Sequence, residues 1–157
     1  MGRLVVTEFM TLDGIVEAPG GEFHPDGKTA WVVDYFTDEI GKFKLDELFA
    51  TDALLLGRST YEQFARAWPT ATDEQGFAER MNSLPKYVAS STLDDPLEWN
   101  ATLIKGDMTE VVSRLKDEYD RDILICGSAT LPLRLVHTVA FKAGVVVHSY
   151  EPDRSTA

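Results

Sequence analysis

The fold of this chain is decided by the stretch from Ala53 to Phe64, which reads Ala-Leu-Leu-Leu-Gly-Arg-Ser-Thr-Tyr-Glu-Gln-Phe. Its apolar residues run without a break up to Gly57, which is typical of a short strand buried on both faces. Ser59 is a good helix N-cap and Glu62 follows it at the capping-box spacing, so we predict a helix that ends at Trp68-Pro69. The stretch therefore predicts a strand, a glycine turn and a helix.

The turn between this strand and this helix has the features of a phosphate-binding corner. At the start of a helix the free backbone N–H groups and the positive end of the helix dipole face outward. Gly57 lets an anionic group approach the backbone, and Arg58 adds a planar fork of donors that matches phosphate geometry. An ordinary turn with an exposed arginine explains the same residues, so both interpretations stay open at this point.

The length and composition indicate one domain that covers residues 1–157. Hydrophobic residues make up 44% and charged residues 26%, which is ordinary for a globular protein. No stretch approaches the roughly 18 apolar residues of a membrane span. Met1-Gly2-Arg3 leads into a strand-like run and not into a signal peptide, so we expect a cytoplasmic protein without membrane association.

The charge balance limits the kinds of partner. The chain has 26 acidic and 15 basic residues and a formal net charge of −11, which repels a nucleic-acid backbone. A compact phosphorylated cofactor bound by a few local donors fits this charge better than DNA does. The single cysteine, Cys126, is predicted to be a small core residue, and the sequence contains no zinc-binding set.

The first strand is predicted from Leu4 to Met10, ahead of the turn Thr11-Leu12-Asp13-Gly14. Glu8 falls on the same face of this strand as Leu4 and Val6. It is either an exposed residue of an edge strand or a carboxylate aimed into a cleft.

A long segment from Ala18 to Lys28 is dense in glycine and proline and is predicted to be a loop. A loop of this length is often a lid or a binding loop. His24 lies in it beside Glu22 and Asp26, but surface loops commonly collect such residues, so we predict no metal site. The aromatic residues that follow, Trp31, Tyr35 and Phe36, line a pocket or belong to the core.

The rest of the chain alternates strands with helices. Helices are predicted at Thr37 to Phe49, Asp73 to Asn82 and Thr109 to Tyr119, and strands at Lys86 to Ala89, Ala101 to Ile104 and Ile123 to Cys126. In the first of these helices Thr37 is the predicted cap, and the predicted apolar side consists of Ile40, Phe43, Leu48 and Phe49. This alternation predicts an α/β sheet with ligands bound at the carboxyl ends of its strands.

Two further turns follow predicted strands. Ser90-Ser91-Thr92 supplies three hydroxyl groups that are either a second anion contact or plain turn formers. Gly127-Ser128-Ala129-Thr130 follows the strand that ends at Cys126, and a helix is predicted from Leu131. The second turn repeats the order of strand, small-residue turn and helix.

Four segments, in this order, resemble the dihydrofolate reductase-like superfamily. The chain is most similar to the reductase domain of the bifunctional riboflavin-biosynthesis deaminase-reductase, the RibD C-terminal domain. The matching segments are Thr11-Leu12-Asp13-Gly14, Leu56-Gly57-Arg58-Ser59-Thr60-Tyr61-Glu62, Ser90-Ser91-Thr92 and Ile125-Cys126-Gly127-Ser128-Ala129-Thr130. The resemblance implies a three-layer α/β/α fold with a central mixed, mostly parallel sheet.

The resemblance also implies an NADPH-dependent reductase of a small heterocyclic or carbonyl substrate, with 5-amino-6-(5-phosphoribosylamino)uracil as one candidate. It places Asp13 near the substrate, where Asp13 or Glu8 supplies a proton or Asp13 only shapes its loop. On the phosphate side of the cofactor it places Gly57, Arg58, Ser59, Thr60, Ser90, Ser91 and Thr92, and at the pyrophosphate it places Gly127, Ser128, Ala129 and Thr130. Arg58 and the nearby hydroxyls favour NADPH over NADH, because a 2′-phosphate needs such donors.

The C-terminal part departs from the family pattern. Residues 131–150 fit one helix and one strand, so we predict that the closing antiparallel strand is missing or altered. An unpaired sheet edge needs cover from another chain, which favours a homodimer. The turn reads Gly127-Ser128 where dihydrofolate reductases carry two glycines, which argues against dihydrofolate as the substrate. The alternatives are a non-catalytic NADP(H)-binding module with a degenerate site and an interaction domain that holds no ligand.

Overall fold

The computed structural model describes residues 1–13, 16, 31–127, 133–142 and 145–152. The strands are β1 (Arg3–Thr7), β2 (Thr51–Gly57), β3 (Lys86–Ala89), β4 (Ala101–Ile104), β5 (Asp122–Cys126), β6 (Leu133–Ala140) and β7 (Val146–Pro152). The α-helices are α1 (Asp38–Phe49), α2 (Arg58–Ala67), α3 (Phe77–Ser83) and α4 (Met108–Glu118), with short 3-10 turns at Val33–Tyr35 and Trp68–Thr70. Among these described helices, none is long and apolar enough to cross a bilayer.

Five of the strands form one sheet in the order β1-β5-β2-β3-β4. Every pairing within this sheet is parallel. β5 enters between β1 and β2 although it comes last of the five along the chain. Because the strands are parallel, all their carboxyl ends lie at the same edge of the sheet.

The central strand β2 is buried on both faces, as its unbroken apolar run predicts. Leu54 and Leu56 pack on one face against a cluster that includes Tyr61 of α2, while Ala53 and Leu55 pack on the other face in the cluster that includes Leu115 of α4. Burial of one such leucine contributes about 2 kcal/mol. The result is the expected dihydrofolate reductase-like arrangement of helices on both sides of a mostly parallel sheet.

Helix α1 begins where its capping residue predicts. The Thr37 Oγ1 atom accepts a hydrogen bond of 3.4 Å from the backbone N–H of Ile40. Ile40 and Leu48 are buried, as expected for the apolar side of this helix. Phe49, which was predicted to lie on the same side, is 47% exposed.

Helix α2 is capped differently from the prediction. Its N-cap residue is Gly57, and no side chain accepts a hydrogen bond from the first turn. Ser59 lies inside the helix, where its Oγ atom accepts a bond of 3.4 Å from Gln63 Nε2. The capping-box prediction is therefore wrong, because β2 stays paired with β3 up to Gly57 and the chain enters the helix without an intervening loop.

The C-terminal part also differs from the prediction. Leu133–Ala140 is strand β6, which pairs antiparallel with β7, so the helix predicted from Leu131 is wrong over this range. Its apolar and β-branched residues suit either element, and the pairing with β7 decides for the strand. The chain has two strands here and not one, and β7 lies beside β1. Since β6 and β7 form a sheet of their own and β1 stays the outer strand of the five-stranded sheet, the homodimer stays a prediction.

Lys86 is a charged side chain inside the fold. It is 1% exposed and its Nζ atom donates a hydrogen bond of 2.8 Å to the carbonyl oxygen of Asn82. The same atom lies 4.1 Å from the centroid of the Trp99 ring. Burial lowers the pKa of Lys86 from its ordinary value of 10.5 to about 8, because the charged form loses its hydration.

Replacing Lys86 with Met should change the pH dependence of stability. The folded protein releases the Lys86 proton at about pH 8, whereas the unfolded chain keeps it up to the ordinary value of 10.5. Between these values the unfolded state binds more protons, so the native chain gains stability with rising pH relative to the variant, by up to about 3 kcal/mol. Urea unfolding below, within and above this window measures the difference, and Lys42→Met is the control for loss of an exposed lysine. Parallel curves for the native chain and Lys86→Met would contradict the prediction.

Candidate functional site at the carboxyl edge of the sheet

The parallel order of the strands brings several predicted site residues to one edge. Glu8 follows β1, Gly127 follows β5, Arg58 follows β2 and Ser90 follows β3. Since these strands are neighbours in the order β1-β5-β2-β3, the four residues lie along the edge in that sequence. The ends of four strands that are far apart in the chain therefore line one surface at this edge of the sheet.

Arg58 and Thr92 meet at one end of this surface. The Arg58 Nη1 atom donates a hydrogen bond of 3.2 Å to Thr92 Oγ1. The Arg58 Nε atom lies 3.9 Å from Glu62 Oε1, and the Arg58 side chain is 53% exposed. The guanidinium has five N–H donors, so it can hold these two neighbours and still donate to an anion.

Ser90 acts in the turn that follows β3. Its Oγ atom accepts hydrogen bonds from the backbone N–H groups of Thr92 at 3.2 Å and of Leu93 at 3.1 Å. The turn-forming alternative therefore describes Ser90, whose Oγ atom also lies 3.4 Å from Thr92 Oγ1. Ser91 and Thr92 are exposed beside it.

Gly127 follows β5, between β1 and β2, and it lies between the Thr60 hydroxyl and the Glu8 carboxylate. Its φ angle is +70°, and a Cβ atom on it would lie 2.9 Å from Thr60 Oγ1 and 3.5 Å from Glu8 Oε2. Its backbone N–H donates a hydrogen bond of 3.3 Å to the carbonyl oxygen of Thr7. Only glycine fits this position without strain. The rest of the predicted turn, Ser128, Ala129 and Thr130, lies outside the described residues.

The start of α2 has open space and backbone donors of the kind that hold a phosphate group. A Cβ atom built on Gly57 would meet nothing within 4 Å, so there is open space beside the backbone. The first turn of α2 has no acidic residue and no side-chain cap, which leaves its N–H groups available to an anion. Together with the Arg58 guanidinium, this donor set has the chemistry that a phosphate requires.

The comparison with known families decides what kind of domain this is. The family model of the RibD C-terminal domain matches residues 3–146. The chain belongs to the RibD C-terminal domain family. This finding confirms the resemblance that the four sequence segments indicated.

Among solved structures, this RibD C-terminal domain resembles the crystal structure of a candidate riboflavin biosynthesis protein from Shewanella sp. PV-4. The TM-score is 0.60 at 14% sequence identity, and the match covers 98% of each chain. At this identity the likeness shows the shared fold alone. No curated protein matches the chain in sequence.

Glu8 and Asp13, the two predicted candidates for the proton donor, are both exposed. β1 ends at Thr7, where its pairing with β5 ends, so Glu8 lies beyond the strand and the prediction that places it on a strand face is wrong. Its carboxylate nevertheless reaches the carboxyl edge beside Gly127. Asp13 accepts a hydrogen bond of 2.6 Å from Thr11 Oγ1, which fits the alternative that it shapes its loop.

Sequence reasoning missed a charged pair on α1 that reaches the same edge. The Lys44 Nζ atom contacts both Thr7 Oγ1 and the Glu47 carboxylate. The Lys44 and Glu47 side chains are only 17% and 15% exposed, and the Lys44 Nζ atom lies 5.6 Å from the centroid of the Phe9 ring. The spacing of three residues between Lys44 and Glu47 is typical of an ion pair on a helix. It does not show whether such a pair faces the solvent or the sheet.

Cys126 ends β5 next to this pair. Burial raises the pKa of its thiol to about 12, while Lys44 acts to lower this pKa and Glu47 and Glu8 act to raise it. The thiol is therefore protonated at neutral pH, and Cys126 packs partly buried against the core cluster that contains Leu54 and Leu56. The same electrostatic contributions indicate that all three charged groups lie near the end of β5.

The predicted aromatic cluster and loop have different outcomes. Tyr35 is 54% and Phe36 is 46% exposed, so these two rings are not core residues. The Phe36 ring contacts the Phe9 ring at 6.2 Å between centroids, and a pocket-lining role stays a prediction. The loop from Ala18 to Lys28, with His24, lies outside the described residues.

Two glycine substitutions should separate the two ends of the site. Gly127→Ala places a Cβ atom against Thr60 and forces alanine into a left-handed conformation, so we expect a loss of about 1–3 kcal/mol in stability. Gly57→Ala meets open space at an ordinary φ of −77°, so we expect a change within about 0.5 kcal/mol. Urea unfolding of both variants measures the difference, and equal stability of the two would contradict the assigned geometry of Gly127.

Proposed function

We propose that this domain is an NADPH-dependent reductase that transfers a hydride to a small heterocyclic or carbonyl substrate. The observation that carries the proposal is the contact of Arg58 with Thr92 at the carboxyl edge, beside a helix start that no side chain caps. Ligands of open α/β sheets bind at this edge. Membership of the RibD C-terminal domain family supports the reductase class.

In this proposal the chain holds the cofactor by its phosphates. Arg58 and Thr92 bind the 2′-phosphate of the adenosine, and the N–H groups at the start of α2 face a phosphate in the open space beside Gly57. The turn that begins at Gly127 holds the pyrophosphate. NADPH supplies the hydride, so the residues of the chain need only orient the cofactor and the substrate and exclude water.

The substrate class is proposed on family grounds. The RibD C-terminal domain takes its name from riboflavin synthesis, and the structural neighbour from Shewanella sp. PV-4 is described as a candidate protein of the same pathway. A pyrimidine intermediate such as 5-amino-6-(5-phosphoribosylamino)uracil is therefore the first substrate to test.

Calorimetric titration with NADPH and NADH tests the cofactor. Removing the guanidinium in Arg58→Ala should weaken NADPH binding about 10- to 100-fold, because a hydrogen bond to a charged group contributes about 1.5–3 kcal/mol. NADH lacks the 2′-phosphate, so its affinity should change little.

The matched control for this titration is Arg66→Ala, which removes the same charge from the other end of α2. If Arg66→Ala weakens NADPH as much as Arg58→Ala does, the effect is only long-range charge. Absence of NADPH binding at about millimolar concentration, where binding contributes only about −4 kcal/mol, would reject the reductase proposal.

A non-catalytic NADP(H)-binding module is the second candidate, because Glu8 and Asp13 are both exposed. The purified protein should be incubated with NADPH and a pteridine, a pyrimidine or a quinone while the absorbance of NADPH is followed. Tight NADPH binding without oxidation by any of these acceptors would favour the module over the enzyme.

A further inference from the structure

The pair of Lys44 and Glu47 differs from the other ion pair on the same helix. Lys42 and Asp46 are 72% and 63% exposed, as is usual for a surface pair. Lys44 and Glu47 are 17% and 15% exposed. Taking two charges partly out of water costs free energy that their attraction often does not recover. The inner pair therefore needs a reason beyond the stability of α1.

The contacts of the pair place it at the end of the site that holds Gly127. The Lys44 Nζ atom contacts Thr7 Oγ1, at the last residue of β1. The carbonyl oxygen of the same threonine accepts the N–H of Gly127, and the next residue, Glu8, approaches Gly127 with its carboxylate. A single residue thus separates the Lys44 ammonium from the turn proposed to hold the pyrophosphate.

We infer that Lys44 and Glu47 line the part of the site where the hydride is transferred. The Lys44 ammonium there faces the nicotinamide ring and the reducible group of the substrate. This inference rests on the proposed function. It assigns Lys44 as the hydrogen-bond donor to the atom on which negative charge develops, and Glu47 and Thr7 as the groups that position it. The substrate is then a carbonyl or imine compound, because both present an oxygen or a nitrogen at the reducible bond.

The chemistry of such a reduction balances with these groups. The carbon of the C=O or C=N bond gains a hydride from the nicotinamide, which is thereby oxidised. The π electron pair of that bond moves to the oxygen or nitrogen, which takes up one proton from the ammonium or from water. The ammonium stabilises this developing negative charge, and a deprotonated lysine regains its proton from solvent.

Comparison of NADP⁺ with NADPH tests the position of Lys44 without any substrate. The two ligands share their phosphates and adenosine, but the nicotinamide ring is cationic in NADP⁺ and neutral in NADPH. An ammonium near the ring disfavours NADP⁺, and a carboxylate near it favours NADP⁺. The ratio of the two dissociation constants therefore reports the charges that face the ring.

Lys44→Met should raise the affinity for NADP⁺ relative to NADPH roughly three- to tenfold, the size expected for one partly screened charge at short range. Glu47→Gln should move the ratio in the opposite direction, and Lys44→Arg should keep it near the native value. Lys42→Met is the matched control, since it removes the same charge from the exposed pair of the same helix. Calorimetric titration of each variant with both ligands gives the ratios, and urea unfolding shows whether each variant folds.

The outcomes separate the inference from the proposed function. Opposite shifts in Lys44→Met and Glu47→Gln, with none in Lys42→Met, support the inference. If both ligands bind tightly and the ratio of their dissociation constants is unchanged in the variants, the inference is overturned. The reductase proposal then remains intact, and the Lys44–Glu47 pair only connects α1 with β1. If the native chain binds neither ligand, both proposals fail. If Lys44→Met does not fold, the near-isosteric Glu47→Gln decides alone, and an unchanged ratio in that variant overturns the inference.

Discussion

The burial of β2 on both faces is the constraint on which the rest of this structure depends. Ala53 and Leu54 are 0% exposed although they point to opposite faces of the sheet. A strand of this kind needs helices on both sides and hydrogen-bonded neighbours on both edges, which β5 and β3 supply. Parallel pairing follows from the crossover helices, and it gathers the turns after four strands at one edge. The position of the candidate site is thus a consequence of how the core is buried.

The electrostatics of that edge are local and not global. The chain carries a formal net charge of −11, so an anionic cofactor meets an unfavourable overall field. Arg58 on α2 and Lys44 on α1 each bring a positive charge to this edge, next to a hydroxyl and a carboxylate. Short-range donors of this kind favour a small, highly charged ligand over an extended polyanion.

The two ends of the edge differ in how tightly they are built. A Cβ atom on Gly127 would lie 2.9 Å from Thr60 Oγ1, which is too close for a methyl group, and 3.5 Å from Glu8 Oε2. Gly57 opens onto free space and has an ordinary φ angle. A closely packed turn fixes the backbone of the chain, and an open one leaves room for a ligand. Both glycines match the family pattern, but they serve these two different physical purposes.

The sequence by itself determined the fold class, the strands β2 to β5, the cap of α1 at Thr37 and the passage from strand to helix at Gly57, because these depend on local periodicity and turn chemistry. It misplaced the start of α2, whose first residues are set by the pairing of β2 with β3. It also predicted a helix where Leu133–Ala140 is a strand, since apolar and β-branched residues suit either element until a partner such as β7 is present. Only the tertiary structure decided that Lys44 and Glu47 turn inward, that Glu8 reaches Gly127 and that Arg58 reaches Thr92. These contacts join residues from different elements, and their geometry depends on the strand order, which puts β5, the last of the five strands along the chain, between β1 and β2.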